Sequence, residues 1–349
     1  MNITNLDNIA LEEFSNHEKV IKFTDEASGL IGFLAIHNTN LGPAVGGTRM
    51  FPYASEDEAL ADVLGLSKAM TYKCAISGVP YGGGKAVIMG DPDKIKTPEL
   101  LSAYAEVINY LDGQFYTGED VGISEADVQY MLKTCPFFIG HSEKAGDPSP
   151  YASLSTYYSM QTAVMELDGS SDLSGKKIAI KGVGKVGGEL ARLLSNDKSE
   201  IYVSDIKEDA IQKLLQLVPT VIPVDNDKIK QLDIDIYAPC ALSNELSLDD
   251  VSQMKAKIIC GAANRQLSKK EVGESLFEKN ILYIVDYVAN CGGLINVVDE
   301  LEEGGYNKVR VLKRIDGVHE TVKKISQLAR EQNRSTSYVA DQLAESIFL

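Results

Sequence analysis

The sequence predicts an α/β protein of two domains separated by a cleft, and three observations carry that prediction. The chain has 349 residues, enough for two hydrophobic cores. Its first part alternates strand-like and helix-like runs, the pattern of layered α/β sheets. Farther on, Gly182-Val183-Gly184-Lys185-Val186-Gly187 stands between a strand and a helix, the setting of a dinucleotide-binding turn in a Rossmann-type doubly wound sheet. The expected division is residues 1–140 for a substrate-binding and catalytic domain and 141–330 for the dinucleotide-binding domain, with the last helix, 331–349, packing back on the first.

The elements are justified in order. Lys19 to Asp25 and Leu30 to His37 are β-rich and read as paired strands. Leu41 to Arg49 follows as a glycine-rich loop. Ser55-Glu56-Asp57-Glu58 is a capping box that opens a long amphipathic helix toward Lys73. Gly82-Gly83-Gly84 reads as a turn before Lys85, and Ala86 to Gly90 as a strand. Thr97-Pro98-Glu99 places proline at the first position of a helix to about Leu111. Phe115 to Thr117 is a short strand feeding Asp120, and Ser124-Glu125-Ala126-Asp127 caps another helix. His141 to Pro150 is loop-forming throughout and reads as the inter-domain hinge. A helix from about Ala152 to Leu167 leads to strands at Lys177 to Lys181 and Glu200 to Ser204, with a helix over Glu189 to Leu194 between them. Later strands are expected at Ile234 to Ala238, Lys257 to Cys260 and Ile281 to Val285, each ending in a loop. Helical periods then cover Asn307 to Arg330 and Ser335 to Phe348.

Composition narrows the function. A net charge of -16 argues against nucleic-acid and anionic-membrane partners, which call for a basic face. The five cysteines are scattered and never spaced Cys-x-x-Cys, as expected for reduced thiols of a cytoplasmic protein. No signal peptide is visible at the start, and no apolar run reaches membrane-spanning length. The four histidines lie far apart in sequence, so no metal site is expected.

Candidate chemistry gathers in two places. Lys73, Lys85 and Asp120, with the glycines between the lysines, suit a small acid that is to be held and oxidised. Two converging ammonium groups and burial would both lower a lysine pKa and supply a general base. Alternatively, the lysines are surface charges and the glycines a plain turn. In the second place, Gly182, Gly184, Lys185, Val186 and Gly187 would present helix-terminal amides to a pyrophosphate. Asp205, at the end of the following strand, would bind ribose hydroxyls and repel a 2′-phosphate, which favours NAD over NADP. Asn264 and Asn290, in loops at strand ends, read either as ligand contacts or as turn formers.

These motifs match a family. The runs LGPAVGGTR (41–49), MTYK (70–73), GGGK (82–85), EDVG (119–122), the glycine turn at 182–187, APCAL (238–242), GAAN (261–264) and DYVANCGGLIN (286–296) span nearly the whole chain. In this the chain resembles the glutamate/leucine/phenylalanine/valine amino acid dehydrogenases, most closely their leucine and phenylalanine branch. The resemblance implies an oxidoreductase: an L-amino acid, NAD+ and water give a 2-oxo acid, ammonium and NADH, reversibly. It implies that Lys73 binds the substrate carboxylate beside Gly46 and Gly47, that Lys85, with a lowered pKa, activates water, and that Asp120 moves protons to and from the amino group. It also implies that Leu41, Gly118, Leu294 and Val297 contact the substrate and that Cys240, Ala241 and Ala262 join the cofactor site. A catalytically silent NAD-binding regulator of the same fold is the alternative.

The substrate expectation rests on two positions. Leucine-type enzymes usually carry alanine and valine where this chain has Gly118 and Leu294, as phenylalanine-type members do; a methyl lost at Gly118 would make room for a ring. A large apolar or aromatic amino acid is therefore expected, with leucine-like substrates close behind. Departures from the family pattern are Arg265 in place of a second asparagine, Ser243-Asn244 after the APCAL run, and Asp147 in the hinge. The chain ends at Leu349, before the basic tail that helps leucine-type enzymes form octamers, so a smaller homo-oligomer, a dimer, is expected.

Overall fold

The computed structural model describes residues 1–7, 9–140, 145–241 and 243–349. The chain forms two compact units. The first comprises Met1–Asp147, Val297–Asn307 and Ala344–Leu349, and the second Pro148–Asn296 and Lys308–Leu343. Part of the expected hinge, residues 141–144, lies outside the described residues, as does Leu242 of the APCAL run.

The first unit contains β1 (Asn2–Asn5), β2 (Lys19–Asp25), β3 (Leu30–Asn38), β4 (Ala44–Phe51), α1 (Glu56–Ile76), β5 (Gly82–Met89), α2 (Pro92–Ile95), α3 (Pro98–Tyr110), β6 (Phe115–Gly118) and α4 (Glu125–Met131). Its sheet has the order β1-β2-β3-β5-β4-β6. The first three strands and the β3–β5 pair are antiparallel, whereas β4 pairs parallel with both β5 and β6. Helices cover both faces, and the period-2 alternation of the strands divides two cores. Val20, Phe33, Ala35 and Val87 pack with Ala59, Val63 and Leu64 of α1. Their neighbours Ile21, Leu34, Ile36, Met50 and Ile88 pack with Leu100, Tyr104 and Ile108 of α3.

Helix starts follow the capping chemistry. Ser55 accepts from the Glu58 amide, and the Glu58 carboxylate reaches one residue farther back than a capping box requires, to the Ala54 amide at 2.8 Å. Thr97 caps α3, and Ser124 with Asp127 forms a reciprocal capping box on α4. Two glycine-rich stretches are strands, not the expected loop and turn: 44–51 is β4, and Gly82–Gly84 opens β5. The glycines serve close packing. A Cβ on Gly83 would lie 2.0 Å from the Thr71 amide nitrogen, so only glycine lets α1 settle on β5 here.

The second unit contains α5 (Ser149–Asp168), β7 (Lys177–Lys181), α6 (Lys185–Asn196), β8 (Glu200–Ser204), α7 (Glu208–Leu217), β9 (Ile222–Pro223), β10 (Ile236–Pro239), α8 (Leu248–Gln253), β11 (Ile258–Ile259), α9 (Lys270–Glu278), β12 (Leu282–Tyr283) and α10 (Asp286–Ala289). There follow α11 (Gly292–Val298), α12 (Lys308–Asp316), α13 (Val318–Gln332) and α14 (Thr336–Phe348), whose residues are shared with the first unit at 297–298 and 344–348. The sheet order β9-β8-β7-β10-β11-β12, all parallel, is the doubly wound order with its switch point between β7 and β10. The stretch after β12, expected as a loop, instead folds into α10 and α11. No helix among the described residues is long and apolar enough to cross a membrane.

Two histidines that are distant in sequence meet inside the first unit. His17 bonds to the Leu64 carbonyl and Ser67 hydroxyl, His37 bonds to the Thr71 hydroxyl, and the two rings stand edge to face at 4.8 Å. Burial lowers both pKa values to about 4. A depressed histidine pKa stabilises the fold fully above the unfolded value near 6.5, and that stabilisation is lost as pH falls toward 4. The melting temperature is therefore expected to drop between pH 6.5 and 4. The double variant His17→Gln/His37→Gln should show a visibly flatter dependence in a pH series of thermal melts; an equally steep one would sink this assignment.

Candidate active site

Strand alternation builds the first site. On β5, Val87 faces α1, so Lys85, two residues before it, does too; on β4, Gly47 and Arg49 share that face opposite Met50. Lys85 is only 7% exposed. Its ammonium is hydrogen-bonded to Asp120 Oδ2, which hangs from the loop after β6. A buried ammonium needs such a counter-charge. Burial by itself pushes the Asp120 carboxyl up, but Lys85 and Arg49 outweigh it, and the carboxyl titrates at about 2. The Val121 amide donates to the other Asp120 oxygen at 2.7 Å and fixes its direction.

Gly47 is the floor of this arrangement. A Cβ there would lie 2.4 Å from the Glu119 carbonyl oxygen, 3.1 Å from Asp120 Cβ and 3.2 Å from Lys85 Nζ. Gly46 runs equally close to Gly84, where a Cβ would meet the carbonyl oxygen at 1.9 Å. Lys73 is half-buried in the last turn of α1, the helix that packs on the strand bearing Lys85. Leu41 is half-buried in the turn before β4. Val297 also belongs to the first unit, with Cγ1 3.3 Å from where a Gly140 Cβ would sit. Leu294, on α11, belongs to the second.

The second site lies at the switch point of the parallel sheet. Gly184 caps α6 without a side-chain hydrogen bond, and a Cβ built on it would meet nothing within 4 Å, which leaves room for an anion at the helix N-terminus. Lys185 and Val186 open the helix, and a Cβ on Gly187 would lie 1.9 Å from the Gly182 carbonyl oxygen. After β10, the Cys240 amide bonds to the Lys181 carbonyl, and Ala241 sits against Gly182. Asp205 accepts from the Val183 and Lys207 amides, at 2.8 Å each, which holds its carboxylate against the glycine turn. Asn290 donates to the Ala262 carbonyl at 3.0 Å and to Asn264 Oδ1 at 2.7 Å, while its own Oδ1 is buried without a partner among the described residues. A buried orphan acceptor is costly and suits a ligand that donates to it. These residues fit a nicotinamide dinucleotide.

Comparison with known proteins agrees with this geometry. Residues 17–137 match the family described as "Glu/Leu/Phe/Val dehydrogenase, dimerisation domain", and residues 203–344 match "Glutamate/Leucine/Phenylalanine/Valine dehydrogenase". The chain belongs to this family. It is an NAD(P)-dependent amino acid dehydrogenase by descent. It is 41% identical over 344 residues to a phenylalanine dehydrogenase of Caldalkalibacillus thermarum, covering 97% of this chain and 92% of that one. It is 40% identical over 333 residues to the leucine dehydrogenase of Bacillus subtilis, covering 95% and 91%. Among solved structures, the L-tryptophan dehydrogenase of Nostoc punctiforme superposes with a TM-score of 0.83 at 38% identity, covering 95% of this chain and 96% of that one.

One sequence expectation about the substrate changes here. Gly118 does not by itself open space for a ring, because a Cβ there would meet the Ile139 carbonyl oxygen at 2.5 Å. The backbone bonds Thr117–Phe137 and Ile139–Thr117 draw that segment against β6, and glycine is what lets it approach. Lys85 and Asp120, named together from the sequence, are in contact. The sequence reading also passed over Arg49 as a site residue, although it ends the LGPAVGGTR run; only its two-residue offset from Gly47 could have marked it. Burial pushes the thiol of half-buried Cys240 up to about 12, which disfavours the nucleophilic thiolate. Gly47→Ala should displace Asp120 or Lys85 and lower turnover at least about tenfold, with NAD affinity, measured by fluorescence titration, unaltered. A Gly47→Ala enzyme of wild-type turnover would show that the close contacts are not needed.

Proposed function

We propose that this dehydrogenase carries out the NAD-dependent oxidative deamination of a large apolar L-amino acid to its 2-oxo acid, and the reverse reductive amination. The observation that carries the reading is the buried Lys85–Asp120 pair over Gly47, on the sheet face covered by the helix that bears Lys73. A base and a proton carrier in contact, in a largely dry setting, are what water addition to an imine requires.

In this proposal the first unit handles the amino acid and the protons. Lys73 binds the substrate carboxylate with the Gly46 and Gly47 backbone beside it. Asp120 takes the proton that the substrate ammonium must lose. The nicotinamide dinucleotide that the second unit would hold would supply the acceptor for the hydride lost from the substrate Cα. Lys85 then removes a proton from the water that adds to the resulting iminium carbon. The new C–O bond forms, Asp120 returns a proton to nitrogen, and the C–N bond breaks as the C=O bond of the 2-oxo acid forms, the departing ammonia taking the hydroxyl proton and leaving as ammonium. The second unit holds the dinucleotide: the amides around Gly182, Gly184 and Gly187 take the pyrophosphate, Asp205 the ribose hydroxyls, and Asn264 and Asn290, with Cys240, Ala241 and Ala262, the nicotinamide half.

NAD is favoured over NADP because Asp205, an anion fixed against the glycine turn, repels a 2′-phosphate. An apolar side chain is favoured because the similar proteins named above act on phenylalanine, leucine and tryptophan. Leu41, Leu294 and Val297 are the residues proposed to contact that side chain. A cytoplasmic homo-oligomer, at least a dimer, suits the unpaired cysteines and the dimerisation-domain match.

The deciding assay is NADH formation by the purified protein with a panel of L-amino acids, and with NADP+ in parallel. Phenylalanine, tryptophan or leucine should be oxidised and glutamate should not. Lys85→Ala should lose at least about a hundredfold in turnover while binding NAD normally. Silence across the panel with NAD still bound would indicate a regulator of the same fold instead.

A further inference from the structure

Arg49 lies on β4 and reaches two carboxylates. Its NH1 donates to Asp62 Oδ2 of α1 at 2.9 Å, and its NH2 stands 3.6 Å from Asp120 Oδ2. The Tyr53 hydroxyl, from the segment between β4 and α1, donates to the same Asp62 oxygen at 2.7 Å. Arg49 Nε is buried and has no hydrogen-bond partner among the described residues. A guanidinium that gives up one of its donors is oriented by something other than maximal hydrogen bonding. The 3.6 Å separation is ion-pair distance but beyond hydrogen-bond distance. Arg49 therefore acts on Asp120 through its charge without taking the place of Lys85.

That charge answers a chemical difficulty. In the proposed reaction Asp120 takes a proton from the substrate ammonium and must give it back. Burial favours the neutral acid, so the carboxyl would hold that proton. A fixed cation on its other side favours its release. We propose that Arg49 is a positioning residue of the reaction centre, clamped by Asp62 so that its guanidinium keeps Asp120 aligned and draws it back to the ionised form after each proton it carries. The proposal rests on the reading of Lys85 and Asp120 as the proton-handling pair. Among the described residues, Lys85 on β5, Arg49 on β4, Asp62 on α1 and Tyr53 are charged or titratable groups about the carboxylate, and of these Lys85 and Arg49 lower its pKa.

The test is the pH profile of kcat/KM for oxidative deamination in Arg49→Met, Arg49→Lys, Asp62→Asn and Lys85→Ala, with NAD affinity as the check on folding. A neighbouring cation favours loss of a proton, so Arg49→Met should move the acidic limb up by roughly one pH unit and, by loosening the alignment of Asp120, lower turnover at pH 7 about tenfold. Arg49→Lys should return the limb close to its wild-type position. Asp62→Asn frees the guanidinium of its clamp and should move the limb the same way, upward, by less than Arg49→Met. A purely structural role would not let Arg49→Lys, with its different shape, restore the limb. The proposal is overturned by a limb that stays in place in Arg49→Met, or by one that stays in place or moves downward in Asp62→Asn. Should Arg49→Met fail to fold, the near-isosteric Asp62→Asn decides alone. Full turnover in Lys85→Ala would remove the underlying reading and this proposal with it. Loss of turnover in Lys85→Ala with unmoved limbs in the other variants would remove only the role of Arg49.

Discussion

A lysine with 7% of its surface exposed is tolerable only beside a counter-charge, and the pairing of Lys85 with Asp120 is the constraint around which the first unit is arranged. Bringing the loop after β6 onto β5 requires that β4, which lies between them, carry no side chain at the crossing. That is where Gly47 stands. Bringing α1 down on the same face requires β5 to be bare where Thr71 meets it, and Gly83 meets that need. The glycine-rich stretches of this unit are thus strand backbone stripped of side chains so that charged groups and a helix can approach.

Electrostatics in this setting differ from those of isolated surface pairs. The carboxylate of Asp120 touches one cation and stands near a second, and these, with the Val121 amide, reverse what burial would do. The second cation is itself anchored by Asp62, and Asp62 by Tyr53. Such a chain of partners fixes side-chain direction as well as protonation, because each charge is satisfied only in one geometry. A net charge of -16 over the whole chain says nothing of this local cluster, in which lysine and arginine outnumber the carboxylate they share.

The second unit marks its ligand by what it leaves unsatisfied. Helix α6 begins at a glycine with no side-chain cap, and Asn290 keeps a buried oxygen without a donor. Unfilled hydrogen-bonding capacity at the carboxyl end of a parallel sheet is where a dinucleotide's phosphate and polar groups would be accepted. Asp205 is held by two backbone amides and still has lone pairs to offer. The glycine turn thus holds the carboxylate in place, as the proposed binding of ribose hydroxyls would require.

By itself the sequence determined the α/β class, the strand–glycine–helix–strand–aspartate order of the proposed dinucleotide site, and the starts of the side-chain-capped helices, because these depend on local periodicity, capping chemistry and short spacings. Ser124 with Asp127, Thr97 before Pro98, and Asp205 after β8 are interactions within a few residues or one supersecondary unit. Glycine runs misled it, since a missing side chain signals a turn locally but serves strand-on-helix packing once a partner is present, as at 82–84. Only the tertiary structure decided that Lys85 meets Asp120 across 35 residues, that Arg49 stands second to it, that His17 and His37 share one buried contact, and that Gly118 answers to the Ile139 backbone. Each of these is a contact between elements distant in sequence, and its partner is set by sheet order and face, which no local pattern encodes.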